Sequence, residues 1–79
     1  MTVDWDPYAL GDWRKLSIDD AKAIARAVER WAETGQGIVY AAEGGEFRLF
    51  VGSRVVLFFV DTHTQTMHVW QIRSAENAP

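Results

Sequence analysis

Three arginines in the second half of the chain, Arg48, Arg54 and Arg73, and two histidines, His63 and His68, have the most to offer a reaction. A guanidinium is planar, permanently charged and able to grip a phosphate through two parallel hydrogen bonds, but it cannot shuttle a proton. The arginines are therefore electrostatic clamps at most, and the ordinary alternative for each is a solvated or salt-bridged surface position. Proton transfer would fall to a histidine, a tyrosine or a carboxylate. His68 lies in the β-prone run Met67 to Arg73, where strict alternation puts Trp70 and Ile72 on its side and Arg73 on the other. A half-buried structural role is expected for it. His63 sits among threonines and reads as plain surface, while Tyr40 and Glu43 read as edge and turn residues. Asp19-Asp20 is a helix-start charge pair rather than an acid/base dyad. With no cysteine, and no carboxylate at ligand spacing from either histidine, neither a metal nor another cofactor is expected. Gly35-Gln36-Gly37 follows a helix instead of opening one, so it is not a phosphate-cradling loop.

These residues need elements to hold them, and the chain reads as a helical first half and a stranded second half. That order predicts an α+β fold, an αα-hairpin packed on one face of a small antiparallel sheet. Thr2 to Trp5 is a short first strand. Asp6-Pro7 reads as an N-cap followed by proline in the first turn, opening a helix to about Lys15. Ser17 caps a second helix whose apolar residues Ile18, Ala21, Ile24, Ala25, Val28, Trp31 and Ala32 recur at helical spacing, and Gly35 stops it. Ile38 to Ala42 is an edge strand, Gly44-Gly45 a turn, and Met67 to Arg73 the last strand. Residues 74–79 are expected to be a frayed tail, and 1–79 one domain.

Phe47 to Val51 and Arg54 to Val60 flank the two-residue loop Gly52-Ser53, which pairs Val51 with Arg54 and Phe50 with Val55. One face then holds Phe47, Leu49, Val51, Arg54, Val56, Phe58 and Val60, the more uniformly apolar set, assigned to the helix-packed core. The other holds Glu46, Arg48, Phe50, Val55, Leu57 and Phe59. Phe50, Val55, Leu57 and Phe59 are expected to form an exposed apolar patch and hence a partner-binding surface.

The composition narrows the classes. A net charge of −3 disfavours indiscriminate nucleic-acid binding, which needs a generally basic domain. No apolar run is long enough to span a bilayer, and Met1 to Asp6 carries acids where a signal peptide would carry bases. A cytoplasmic location without membrane partners is expected.

Several segments resemble the RelE/ParE toxin superfamily, the toxins of type II toxin–antitoxin systems. Thr2-Val3-Asp4-Trp5-Asp6 with Ala9-Leu10 and Asp12-Trp13-Arg14-Lys15-Leu16 is similar to the opening strand and helix of RelE-type toxins. Gly45-Glu46-Phe47-Arg48-Leu49-Phe50-Val51-Gly52, followed by Val55-Val56-Leu57-Phe58, resembles the family's hairpin, and Met67-His68-Val69-Trp70-Gln71-Ile72 its final strand. The resemblance implies a bacterial toxin neutralised by a cognate antitoxin. The RelE branch is an mRNA interferase that inhibits translation by cutting messenger RNA in the ribosomal A site. The ParE branch inhibits DNA gyrase and lacks the nuclease residues.

Carried over by position, Arg48 matches the first basic residue of the family hairpin. Phe50 replaces the second, Val55 stands at the hairpin arginine with Arg54 one place early, and the terminal His and Tyr are replaced by Arg73-Ser74-Ala75-Glu76. The resemblance thus implies Arg48, Arg54 and Arg73 as phosphate clamps of an RNA-cleaving site. Its alternatives are a ParE-like or inactive toxin acting through protein binding, or an unrelated interaction domain. A homodimer through the apolar patch is a further expectation.

Overall fold

The computed structural model describes residues 1–77, with Ala78 and Pro79 of the expected tail outside them. Strand β1 (Thr2–Trp5) leads directly into helix α1 (Pro7–Arg14). The Asp6 side chain accepts the backbone N–H of Tyr8, so the Asp-Pro pair acts as a helix start. Helix α2 (Ile18–Thr34) begins where Ser17 Oγ accepts the N–H of Asp20 and ends at Gly35, whose left-handed φ of 72° only glycine adopts without strain. Trp13 Nε1–H donates to the carbonyl of Ala21 at 2.9 Å and ties the two helices together.

Strands β2 (Ile38–Ala41), β3 (Phe47–Val51), β4 (Arg54–Asp61) and β5 (Thr66–Ser74) complete one five-stranded sheet in the order β1-β5-β4-β3-β2. The neighbours from β2 to β5 are antiparallel, whereas β1 runs parallel to β5. The expected sheet is thus antiparallel except at its first strand, because the helices carry the chain to the far edge at β2 and three antiparallel connections bring it back to run alongside β1. Ser74 is the last residue of β5, and Ala75–Asn77 form a short 3-10 turn whose Ala75 N–H donates to Ser53 O. The chain is therefore held up to that turn.

The β3–β4 register pairs Val51 with Arg54, Phe50 with Val55 and Leu49 with Val56, as the two-residue loop requires. Helix residues Ala9, Ile24, Val28 and Ala32 pack on Leu49, Val56, Phe58, Met67, Val69 and Ile72. The ring of Phe58 lies 4.7 Å from that of Trp31 and stacks on Phe47 at 5.5 Å. Burying such side chains contributes on the order of 1.5–3 kcal/mol each, and most of the stability of a chain this short resides there. Gly37 lets β2 start close to the core, since a Cβ there would lie 2.9 Å from Leu49 Cδ1. Among the described residues no helix is long and apolar enough to cross a membrane.

Candidate active site on the open sheet face

With the helices on one side, the opposite side of the sheet is left open. Alternation does not run cleanly along β5. Leu57 pairs with Gln71 and Phe58 with Val69, so Trp70 is an extra residue opposite that step, a β-bulge. The bulge reverses parity beyond it. His68 keeps its place on the open face, paired with Phe59. Ile72, paired with Val56, turns into the core, and Arg73, paired with Val55, comes to the open face. The simple two-residue period had placed Ile72 with His68 and Arg73 opposite. The structure reverses both because the period fails at Trp70.

Arg48 and Arg73 thus share the open face, on the two strands that flank β4. Arg54 does not join them. It lies on the helix side, where its Nη2 approaches Asp20 Oδ2 at 3.8 Å near the start of α2 and its Nε is buried without a hydrogen-bond partner. In this register it cannot stand in for the hairpin arginine.

The apolar patch is smaller than expected. Val55 and Leu57 point away from the helices yet are 0% and 2% exposed, so they cannot serve as contact residues. Beside them in the sheet stand Phe50 and Arg73 on either side of Val55, and Arg48 and Gln71 on either side of Leu57, all four themselves half-buried. Long side chains commonly lay their apolar stems over such positions while keeping the polar end outward. Phe50 is half-buried and Phe59 is 39% exposed, and these two remain at the surface.

A carboxylate outside the sequence-based site ties this face together. Glu46 Oε1 accepts from Arg48 Nε at 3.4 Å, and Oε2 accepts from Trp70 Nε1 at 3.1 Å. Glu46 precedes β3 and Trp70 lies in β5, so the link spans β4. The side chains of Glu46 and Arg48 are only 13% and 20% exposed, which makes this pair more consequential than a loose surface contact. Trp70 also lies against Phe59, with ring centroids 6.4 Å apart, and the two rings form an aromatic strip across β4 and β5. Towards β2, Tyr40 meets Phe50 edge to face at 5.7 Å. Tyr40, Glu43, Glu46, Arg48 and Phe50 help line an open concavity of about 590 Å³.

On the other flank, His68 is partly exposed and its Nδ1 lies 3.0 Å from Asp4 Oδ2. The parallel register places Asp4 beside His68 across β1 and β5. His63 stays in the loop after β4, where its backbone N–H donates to Asp61 Oδ1. Arg73 Nε donates to Gln71 Oε1 at 3.0 Å. No group of three or more potential metal ligands occurs among the described residues. The open face therefore presents two guanidiniums, one of them tied to a carboxylate, an aromatic strip between the Glu46–Arg48 pair and His68, and that histidine held by an aspartate.

The whole arrangement matches solved toxin structures. A chain of a RelBE toxin–antitoxin complex from Mycobacterium tuberculosis superposes with a TM-score of 0.81 at 18% identity, covering 92% of this chain and 95% of that one. The intact Escherichia coli RelBE toxin–antitoxin complex gives 0.78 at 18% identity, with 96% and 98% covered. A YoeB/ParE toxin from Agrobacterium tumefaciens gives 0.77 at 17% identity, with 94% and 98% covered. This chain has the RelE/ParE toxin fold. No protein-family model matches its sequence, and no curated protein matches it either. At these identities the likeness establishes architecture, and function has to be argued from the site.

Proposed function

We propose that this protein is the toxin of a toxin–antitoxin pair, neutralised by a cognate antitoxin, and that it cleaves messenger RNA on the ribosome through the open sheet face. The observation that carries the RNA reading is the bulge at Trp70, which places Arg73 on the same face as Arg48 and His68. Two guanidiniums and an aromatic strip on one face suit single-stranded RNA, whose bases stack on aromatic rings while arginines hold the phosphates. Support for the toxin assignment comes from likeness over nearly the full length of both chains to proteins solved as toxins or toxin–antitoxin complexes. Antitoxin contact would use the exposed rim of the same face, with Phe50 and Phe59 as apolar anchors.

A second reading has its own observation. The Glu46 carboxylate sits on Arg48, and a carboxylate opposes phosphate binding at the guanidinium it occupies. That favours a protein-binding toxin of the ParE kind, acting on gyrase. Inducible expression in a bacterial host separates the two. Growth arrest accompanied by messenger-RNA cuts within codons, relieved by co-expression of a neighbouring antitoxin frame, supports the first. Arrest with DNA damage and intact messenger RNA supports the second. Unimpaired growth would overturn the toxin assignment itself.

A further inference from the structure

We propose that His68, oriented by Asp4, is the proton-accepting group of this site, so that the chain carries its catalytic base on the β1–β5 flank of the sheet rather than after its last strand. The inference rests on the RNA-cleaving reading above and supplies what the arginines cannot. RNA cleavage without a metal needs a group that takes the proton from the attacking 2′-hydroxyl, and a permanently charged guanidinium cannot do so.

Three observations converge on His68. It lies on the open face, paired with Phe59 on the helix-free side of β4. Its Nδ1 is 3.0 Å from Asp4 Oδ2, and a carboxylate at Nδ1 fixes the tautomer that keeps the proton there and leaves Nε2 as a free acceptor. Lastly, its position is defined relative to the other groups. Continuing the β3–β4 register one step past Phe47↔Phe58 brings Glu46 level with Phe59 on one side, while His68 lies level with it on the other. The Phe59–Trp70 strip therefore separates the histidine from the Glu46–Arg48 pair. At about 4.8 Å between adjacent strands, those groups stand on the order of 10 Å apart at the backbone, a gap that one nucleotide stacked on the strip would fill. Asp4 is the charged side chain bonded to the ring, and Phe59, its neighbour on β4, brings no charge.

In this assignment the 2′-hydroxyl proton passes to His68 Nε2 as the 2′ oxygen attacks phosphorus. The bond from phosphorus to the 5′ oxygen breaks, and that oxygen leaves with a proton from solvent water. The products are a 2′,3′-cyclic phosphate and a 5′-hydroxyl, and the imidazolium returns its proton to solvent, so nothing is oxidised or reduced. Asp4 touches no reacting atom and is a positioning residue.

The test uses the full chain with ribosomes stalled on a defined messenger RNA, measuring cleavage under single-turnover conditions and ribosome binding in parallel. Both residues are partly or largely exposed, so substitution leaves the fold in place, which a thermal melt checks. We expect His68→Gln to lose roughly 10²–10⁴-fold in cleavage rate with unchanged ribosome binding. Free imidazole should restore part of the rate to His68→Ala, and Asp4→Asn should show a smaller loss in rate without a loss in binding. Wild-type cleavage matched by His68→Gln would overturn this role while leaving the RNA-cleaving reading intact. Failure of the wild-type protein to cut the messenger RNA would overturn both.

Discussion

The carboxylate of Asp12, on α1, accepts the backbone N–H of Ile72, on β5, at 3.1 Å across 60 residues of sequence. This bond lies one residue beyond Gln71, where pairing with β4 resumes past the bulge. Strand β1 covers the outer edge of β5 only as far as Trp5 opposite Val69. Beyond that point α1 takes over as the edge partner and supplies a side chain where a strand would supply a carbonyl. The bulge that carries Arg73 to the open face thus has a specific support from the helix layer.

Removing that acceptor leaves a partly buried N–H without a partner, which costs about 1–3 kcal/mol. Asp12→Ala is therefore expected to lower the midpoint of urea unfolding, and Asp12→Asn, which keeps a carbonyl oxygen, to lower it less. Equal midpoints for wild type and Asp12→Ala would show that water replaces the carboxylate at no cost.

Leu57 and Phe59 lie two residues apart on the same face, yet only Leu57 is fully covered. Truncating a buried leucine to alanine costs roughly 2–5 kcal/mol, and an aspartate there would bury an unpaired charge. Leu57→Asp is expected to unfold the domain, while Phe59→Asp should leave the circular dichroism spectrum and melting temperature near wild type and weaken antitoxin capture. A folded Leu57→Asp protein would mean that this position opens to solvent at little cost.

The helices and the central hairpin could be read from local signals. Ser17 with Asp19-Asp20 and Gly35 bracket α2, and Gly52-Ser53 fixes the β3–β4 register, so the split into a helix-covered and an open face follows from a few adjacent residues. The site was harder to read because its decisive features are not local. The extra residue at Trp70 has no sequence mark, and one missed residue moves both Ile72 and Arg73 to the wrong side. The Asp4–His68 pair joins residues 64 apart through a parallel register between the first and last strands, which no local pattern marks. Val55 and Leu57 are buried although their neighbours include Arg73, Arg48 and Gln71, which a hydrophobicity pattern scores as exposed.

Arg54 provides a control for the electrostatic assignment. It faces the helix side and pairs loosely with Asp20, a contact worth at most about 1 kcal/mol. Arg54→Gln is expected to retain growth arrest on induction, whereas Arg48→Gln and Arg73→Gln should each relieve it at equal expression. Loss of arrest in Arg54→Gln with the protein still folded would place the working surface at the start of α2 instead.

Glu46 offsets the charge of Arg48 and also holds Trp70 in place, and the two roles can be separated. Glutamine at this position keeps an oxygen for the Trp70 N–H and loses the charge that competes with phosphate. If Arg48 grips RNA, Glu46→Gln should tighten binding to ribosome-bound messenger RNA. The dependence of that binding on salt should steepen, because an added phosphate contact releases an additional counterion. Glu46→Ala, which also leaves Trp70 without its acceptor, should bind less tightly than Glu46→Gln. Binding and salt slope identical in wild type and Glu46→Gln would show that the guanidinium stays committed elsewhere, and the protein-binding reading of the open face would then be the stronger one.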